Sequence, residues 1–416
     1  MQMNSAKHNQ IPEHFIKEAE LLARGAEVLP GGVMELAKKL YNSSEKNRPL
    51  RVKLGLDPTR PDLHLGHTVV MRKLRQFQAL GHQVVLIIGG ATAMIGDPSG
   101  KSETRPALTK EEVVENAKTY LDQMGKVIDL SKAEVVNNAD WLHKMQLADL
   151  LKLSSNVTVA QMLVRDDFSK RYSEGKPISV HEFFYPLMQA YDSVEVDADI
   201  ELGGTDQRFN VLLGRDIQQA YGKKDPQMVI LLPLLEGTDG VLKMSKSYPE
   251  HCISLTDPPN EIYGKIMSIP DTLIIRYFEL LTDLPMEEIE NHRGQLKSDY
   301  INPRDYKMKL AKTIIFEYYS REAAFKAEEE FINIFRKKGA PEEMPEYNVE
   351  EGKGLVDFIA EKGLVSSKSE AKRLIIGGGV KLDSEKICNI DYKIIFNDKD
   401  YIILQAGKRK FAKLIK

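Results

Sequence analysis

A chain of 416 residues is too long for one ordinary hydrophobic core, so two or three domains are expected. Its 42% hydrophobic and 29% charged residues fit a soluble globular protein; with a polar start over 1–13 and no run near the roughly 20 apolar residues of a membrane span, a cytoplasmic protein without a membrane partner is expected. The net charge of −3 conceals 14 Lys+Arg against 8 Asp+Glu in residues 352–416 and 44 against 53 in the remainder, the footprint of either a nucleic-acid arm or a merely solvated basic surface.

Residues 1–30 read as an N-terminal extension. From 31 to 250, short apolar strands are expected at 51–57, 84–90, 134–138, 197–202 and 227–232, with helices at 65–80, 110–124, 179–191 and 206–221 between them. Strands alternating with helices predict an α/β domain with a doubly wound parallel sheet, which binds ligands at the carboxyl ends of its strands. Residues 251–338 turn helical, with helices expected at 259–267, 271–281, 285–292 and 303–338, several opening on proline as first turns favour. A Pro- and acid-rich linker over 339–352 leads to a small α+β module over 353–416, with two short helices, a Gly377-Gly378-Gly379 turn and several β-like runs.

Four segments carry chemistry. His64-Leu65-Gly66-His67 lies between a strand-like and a helix-like run, where backbone N–H groups and a helix start attract phosphate. Imidazole N–H groups and a hydroxyl suit charge stabilisation on phosphate oxygens, so His64, His67 and Thr59 are candidate donors and Gly66 admits close backbone approach; two ordinary histidines at a helix start would read the same way. Lys243-Met244-Ser245-Lys246-Ser247 offers two ammonium groups on a loop after Gly240, suited to closing over a triphosphate. Asp97 follows an apolar strand and suits an ammonium group, with Lys101 and Arg105 available for phosphate. Tyr185, Gln189 and Asp192 fall at i, i+4 and i+7, a polar face for a small ligand or one side of a plain amphipathic helix. Gly203-Gly204-Thr205-Asp206-Gln207 follows. Cys252 and Cys388 are too few for a disulfide framework or a Cys-rich zinc site, and no zinc is expected.

The His64–His67 and Lys243–Ser247 words together resemble the signature of class I aminoacyl-tRNA synthetases. With the Asp97 and Tyr185–Gln207 segments, and with the C-terminal Ser369–Val380 and Gly407–Phe411 stretches, the chain is similar to bacterial-type tyrosyl-tRNA synthetases over nearly its whole length. The resemblance implies a Rossmann-like catalytic domain (31–250), an α-helical anticodon-binding domain (251–338) and an S4-like RNA-binding domain (353–416). It implies a ligase that forms tyrosyl-adenylate from L-tyrosine and ATP with Mg2+, then charges tRNA(Tyr), as a homodimer. By the same resemblance Asp97, Tyr185 and Gln189 surround the substrate ammonium, Gln207 lies near its carboxylate, and Asp192 accepts the phenol. Gly55, Asp57, Thr59, His64, Gly66 and His67 handle ATP, with Gly204 and Asp206 at the ribose, while Lys101, Arg105, Lys243 and Lys246 neutralise the leaving phosphates. Lys372, Arg373, Lys408, Arg409 and Lys410 are the tRNA-binding candidates. One position departs: Lys53 stands where many members have a tyrosine that bonds the substrate phenol, which leaves that second contact open. A tryptophanyl relative would share both ATP words but lack the Tyr185/Gln189/Asp192 face and the basic tail.

Overall fold

The computed structural model describes residues 11–58, 62–97, 109–297, 302–336, 344–397, 399–407 and 410–416. Thr59, Lys101, Arg105, Lys408 and Arg409, with part of the expected linker, lie outside them. The chain divides into two compact units: Met1–Thr256 with Pro270–Lys297, and Asp257–Ile269 with Ser298–Lys416. The helices beyond residue 250, expected as one domain, are therefore shared between the two units.

In the first unit the apolar runs form β2 (Arg51–Leu56), β3 (Gln83–Ile88), β4 (Ala133–Asn137), β5 (Ile200–Gly204) and β6 (Met228–Leu232), preceded by β1 (Glu27–Leu29). They make a six-stranded sheet in the order β1-β6-β5-β2-β3-β4. β2 to β6 run parallel, and β1 pairs antiparallel with β6. β6 is buried throughout and β3 from Val84 to Ile88, as a sheet covered on both faces requires. The chain winds outward from β2 through β3 to β4, then returns to β5 on the other side of β2. That reversal opens a crevice at the carboxyl ends of β2 and β5.

β1 shows that the expected extension of residues 1–30 contains a strand of the sheet. The helices of this unit are α1 (Glu13–Ala23), α2 (Gly32–Glu45), α3 (Leu65–Ala79), α4 (Thr92–Ile95) and α5 (Lys110–Met124), then α6 (Ala139–Leu142), α7 (Leu147–Ser154), α8 (Val159–Met162), α9 (Asp166–Ser173) and α10 (Phe184–Glu195) between β4 and β5, and α11 (Arg208–Ala220) between β5 and β6. The helices expected at 179–191 and 206–221 each open with a 3-10 turn, Val180–Phe183 and Thr205–Gln207. Beyond β6, α12 (Pro259–Met267) belongs to the second unit, and α13 (Ile274–Leu281) and α14 (Met286–Leu296) to the first.

In the second unit, the stretch 303–338, expected as one helix, is two: α15 (Pro303–Tyr318) and α16 (Arg321–Arg336). The break has a local cause, because the Ser320 hydroxyl accepts a bond from the Ala323 N–H at 3.0 Å and starts a new helix as an N-cap. The C-terminal part holds β7 (Glu346–Asn348), α17 (Leu355–Glu361), α18 (Lys368–Ile376), β8 (Val380–Leu382), β9 (Glu385–Ile387), β10 (Tyr401–Ala406) and β11 (Lys410–Ile415). Its five strands are ordered β7-β11-β10-β8-β9 around a core that includes Leu355, Ile359, Ile375, Phe396 and Leu404. β7 lies within the expected linker 339–352 and pairs with β11, so that stretch is partly built into the fold. Among the described residues no helix is long and apolar enough to cross a membrane.

Candidate active site

The crevice is a cleft of about 400 Å³ in the first unit. Gly55 and Asp57 reach it from the end of β2, His64, Gly66 and His67 from the start of α3, and Gly204, Asp206 and Gln207 from the end of β5. Asp97, Tyr185, Gln189, Asp192 and Lys243 also line it. All the described candidates for nucleotide and amino-acid binding except Lys246 thus converge from separate elements.

His64 is the N-cap of α3, with extended backbone (φ −128°, ψ 170°). Its Nδ1 accepts the Gly66 N–H at 3.1 Å, and His67 Nδ1 accepts the His64 N–H at 3.2 Å, a reciprocal capping box made of two imidazoles. A ring nitrogen that accepts a bond carries no proton, so each neutral ring keeps its proton on Nε2 as a donor. Burial holds the His64 pKa well below the usual range, helped by His67, Lys246 and Lys243. Burial, then the Lys246 charge, pulls His67 down to about 4. The motif therefore offers two neutral N–H donors near pH 7.

Because the folded His67 pKa lies below its unfolded value near 6.5, the stability it contributes is present above that value and is lost as pH falls toward 4. The loss of stability between pH 7 and pH 5 is expected to be smaller in His67→Asn than in the unaltered chain, by on the order of 1 kcal/mol. Urea unfolding at the two pH values measures it, and an equal loss in both chains would refute the neutral-imidazole assignment.

The second word folds back on the first. Met244 N–H donates to Leu235 O at 2.8 Å, and the Met244 side chain is buried. A Cβ placed on Gly66 would sit 2.9 Å from the His64 ring and 3.7 Å from the Met244 Cβ, so glycine is required where the two words meet. Lys243 Nζ lies 3.4 Å from Asp206 Oδ2, and Lys246 Nζ sits 5.9 Å from the centre of the Tyr120 ring. Both cations act on the His64 ring, Lys246 acts on that of His67 as well, and Lys243 remains half exposed on the loop.

The other end of the cleft is a buried polar chain. Asp192, 3% exposed, accepts from Trp141 Nε1 at 2.9 Å and from Asn138 Nδ2 at 3.2 Å. Asn138 Nδ2 also donates to Thr92 Oγ1 at 3.0 Å, Thr92 donates to Asp57 Oδ1 at 2.7 Å, and Tyr185 donates its hydroxyl to Asp57 Oδ2 at 2.9 Å. Burial pushes Asp192 up to about 7, against the pull of Lys53 and of its two donors. Burial, then the Asp57 and Asp97 charges, raises Tyr185 well above the usual phenol range, so it remains a donor. A Cβ on Gly89 would collide with the Asp57 carboxylate, which explains glycine there.

Lys53 is fully buried. Its ammonium donates to Glu201 Oε1 at 2.9 Å, Ser193 Oγ at 2.7 Å and the Gln189 carbonyl at 2.9 Å. Thr92, Asn138 and Trp141 were not singled out from the sequence. Asn138 directly follows β4, so the rule that ligands meet the carboxyl ends of parallel strands could have flagged it; Trp141 and Thr92 carry no comparable linear signal. Among the described residues no group of three or more His, Cys, Asp or Glu is placed to hold a metal ion.

In the second unit, Lys372 and Arg373 lie on α18 and Lys410 opens β11. The Glu370 carboxyl is held low chiefly by bonds from Ser366, and both Lys410 and Arg373 act on it, which places these two cations around one carboxylate.

A parallel sheet that reverses direction at a cleft, with both signature words closing over it, defines a class I tRNA synthetase core. The family model for class I tRNA synthetases (W and Y) matches residues 45–336, and that for the tyrosine–tRNA ligase SYY-like C-terminal domain matches residues 337–414. The chain is 54% identical over 406 residues to the tyrosine–tRNA ligase of Carboxydothermus hydrogenoformans, covering 96% of this chain and 98% of that one. It is 54% identical over 389 residues to the tyrosine–tRNA ligase of Thermotoga maritima, covering 93% and 96%. The chain belongs to the tyrosine–tRNA ligase family. Solved structures of the same fold include a C-terminally truncated mitochondrial tyrosyl-tRNA synthetase of Aspergillus nidulans (TM-score 0.63, 22% identity, 77% of this chain and 94% of that one) and the tyrosyl-tRNA synthetase of Archaeoglobus fulgidus complexed with L-tyrosine (TM-score 0.59, 24% identity, 75% and 99%).

Proposed function

We propose that this chain joins L-tyrosine to tRNA(Tyr) in two steps. The tyrosine carboxylate attacks the α-phosphorus of ATP, pyrophosphate leaves, and the 3′-terminal hydroxyl of the tRNA then displaces AMP from the tyrosyl carbonyl. The observation that carries this reading is one cleft with two distinct ends: a buried carboxylate, Asp192, at one, and the half-exposed Lys243 beside two neutral imidazole donors at the other. The full-length likeness to tyrosine–tRNA ligases supports it.

In this reading Asp192 accepts the phenol, Asp97, Tyr185 and Gln189 hold the ammonium, and Gln207 lies near the carboxylate. The Nε2–H groups of His64 and His67 stabilise the charge that spreads over phosphate oxygens, and need no proton transfer to do so. Lys243 and Lys246, joined by Thr59, Lys101 and Arg105, follow the charge of departing pyrophosphate. Gly55, Gly66, Gly204 and Asp206 form the adenosine side, and Asp57, which accepts from Thr92 and Tyr185 at the other end, meets the ATP from there. Mg2+ enters with ATP as part of the substrate. Lys372, Arg373, Lys408, Arg409 and Lys410 contact the tRNA backbone. Between β4 and α10 the exposed apolar side chains of Leu147, Leu151, Val159, Val164 and Val180 support a homodimer in which a second copy covers them. The enzyme is read as cytoplasmic. ATP–pyrophosphate exchange is expected with tyrosine and not with tryptophan or phenylalanine; no exchange with any of the three would overturn the reading.

A further inference from the structure

Behind the wall that carries Gln189 and Gln207, a chain of side chains, buried at its Arg165–Asn210 end, runs in one hydrogen-bonding direction. Arg165, just before α9, donates from Nε to Asp167 Oδ1 at 3.0 Å and from Nη1 to Asn210 Oδ1 at 2.6 Å. Asn210, on α11, donates from Nδ2 to Gln189 Oε1 at 3.0 Å and to Gln207 Oε1 at 2.9 Å. Gln207 Nε2 donates to Asp97 Oδ2 at 2.9 Å. Arg165, Asp167 and Asn210 are 5%, 8% and 1% exposed, and the guanidinium lies 4.9 Å from the Phe168 ring centre and 5.6 Å from that of Phe209. Neither Arg165 nor Asn210 lines the cleft.

The direction follows from chemistry. A guanidinium has only donors, so the Asn210 atom facing it must be the carbonyl oxygen. The Asn210 NH2 must then face the glutamines, and each glutamine must turn its oxygen toward Asn210. Reversing any one amide would set two donors or two acceptors against each other in a buried place.

We propose that Arg165 and Asn210 are positioning residues for amino-acid binding: they fix the amide polarity of Gln189 and Gln207, and so which of their atoms meet the head group of the substrate. This rests on the reading that these glutamines hold the amino-acid head group. Arg165 supplies the polarity, Asn210 divides it between two glutamines from different elements, and the Asp167 pair keeps the guanidinium in place.

Steady-state exchange with tyrosine and ATP varied separately, in the full chain, tests the relay. Asn210→Asp keeps the shape and the acceptor facing Arg165 but has no proton for either glutamine. Its KM for tyrosine is expected to rise about tenfold or more, the weight of one or two buried hydrogen bonds, with KM for ATP nearly unchanged. Arg165→Met should show the same split, and Arg165→Lys, which remains a pure donor, should recover most of it. Thermal unfolding of each variant confirms the fold. Equal rises in both KM values, or an unchanged KM for tyrosine in Asn210→Asp while Gln189→Ala raises it, would overturn the relay alone. An unchanged KM for tyrosine in Gln189→Ala would overturn the pocket reading and the relay with it.

Discussion

Asp192→Asn is expected to lose discrimination against phenylalanine while keeping the fold. The carboxylate is buried and already accepts from Trp141 and Asn138, and a phenol in the cleft would satisfy its remaining acceptor capacity. Phenylalanine brings no hydroxyl and leaves the remaining capacity of a buried charged acceptor unfilled, which costs about 1–3 kcal/mol. Asparagine has no such charge, and its NH2 must face one of the two donors that now serve the carboxylate. The ratio of kcat/KM for tyrosine to that for phenylalanine should fall by at least about 30-fold, equivalent to about 2 kcal/mol. The same residue predicts a pH dependence. With the pKa raised to about 7, the ionised acceptor predominates above that pH and is lost below it. KM for tyrosine should therefore rise as pH falls from 7 toward 5, approaching tenfold per pH unit where protonation is complete, and Asp192→Asn should lack this limb. Unchanged discrimination in the variant would remove Asp192 from its assigned role.

Lys53→Met is expected to lower stability by about 3 to 5 kcal/mol, because removing one partner strands the other charge in the interior. Glu201, 1% exposed, would be left with Ser193 and Gln227 as neutral donors. Lys53→Met/Glu201→Gln, which removes both charges, should recover most of the loss; urea unfolding reads both chains, and an equal loss in the double variant would contradict the charge argument. The single variant should also raise KM for tyrosine, since the ammonium holds Ser193 and the Gln189 carbonyl on α10, the helix that presents Tyr185, Gln189 and Asp192.

Much of this was legible because its signals are linear. The apolar runs at β2 to β6 are bounded by polar, glycine or proline punctuation, and both signature words sit at turns whose residues need no tertiary information. β1 was not legible: the three residues just before Pro30 have no periodicity, and their strand character comes from pairing with β6. Lys53 read as the loss of a phenol contact, whereas its meaning lies in Glu201, 148 positions away. Arg165 and Asn210 were silent for a related reason. A relay assembled from α9's entry and α11 has no sequence spacing of its own, and its logic appears only once the donors and acceptors can be paired.

The three residues of β1 also bear on how the sheet avoids other molecules. They occupy the outer edge of β6, a strand of five buried apolar residues, and the Arg208–Glu27 ion pair holds them there. A chain begun at residue 45, where the family match starts, would lack them. It would bare a row of unpaired N–H and C=O groups on a hydrophobic strand, a template on which a second chain can add itself. Residues 27–29 thus pair the outer side of β6, so the backbone of that buried strand is satisfied by a segment outside the cleft.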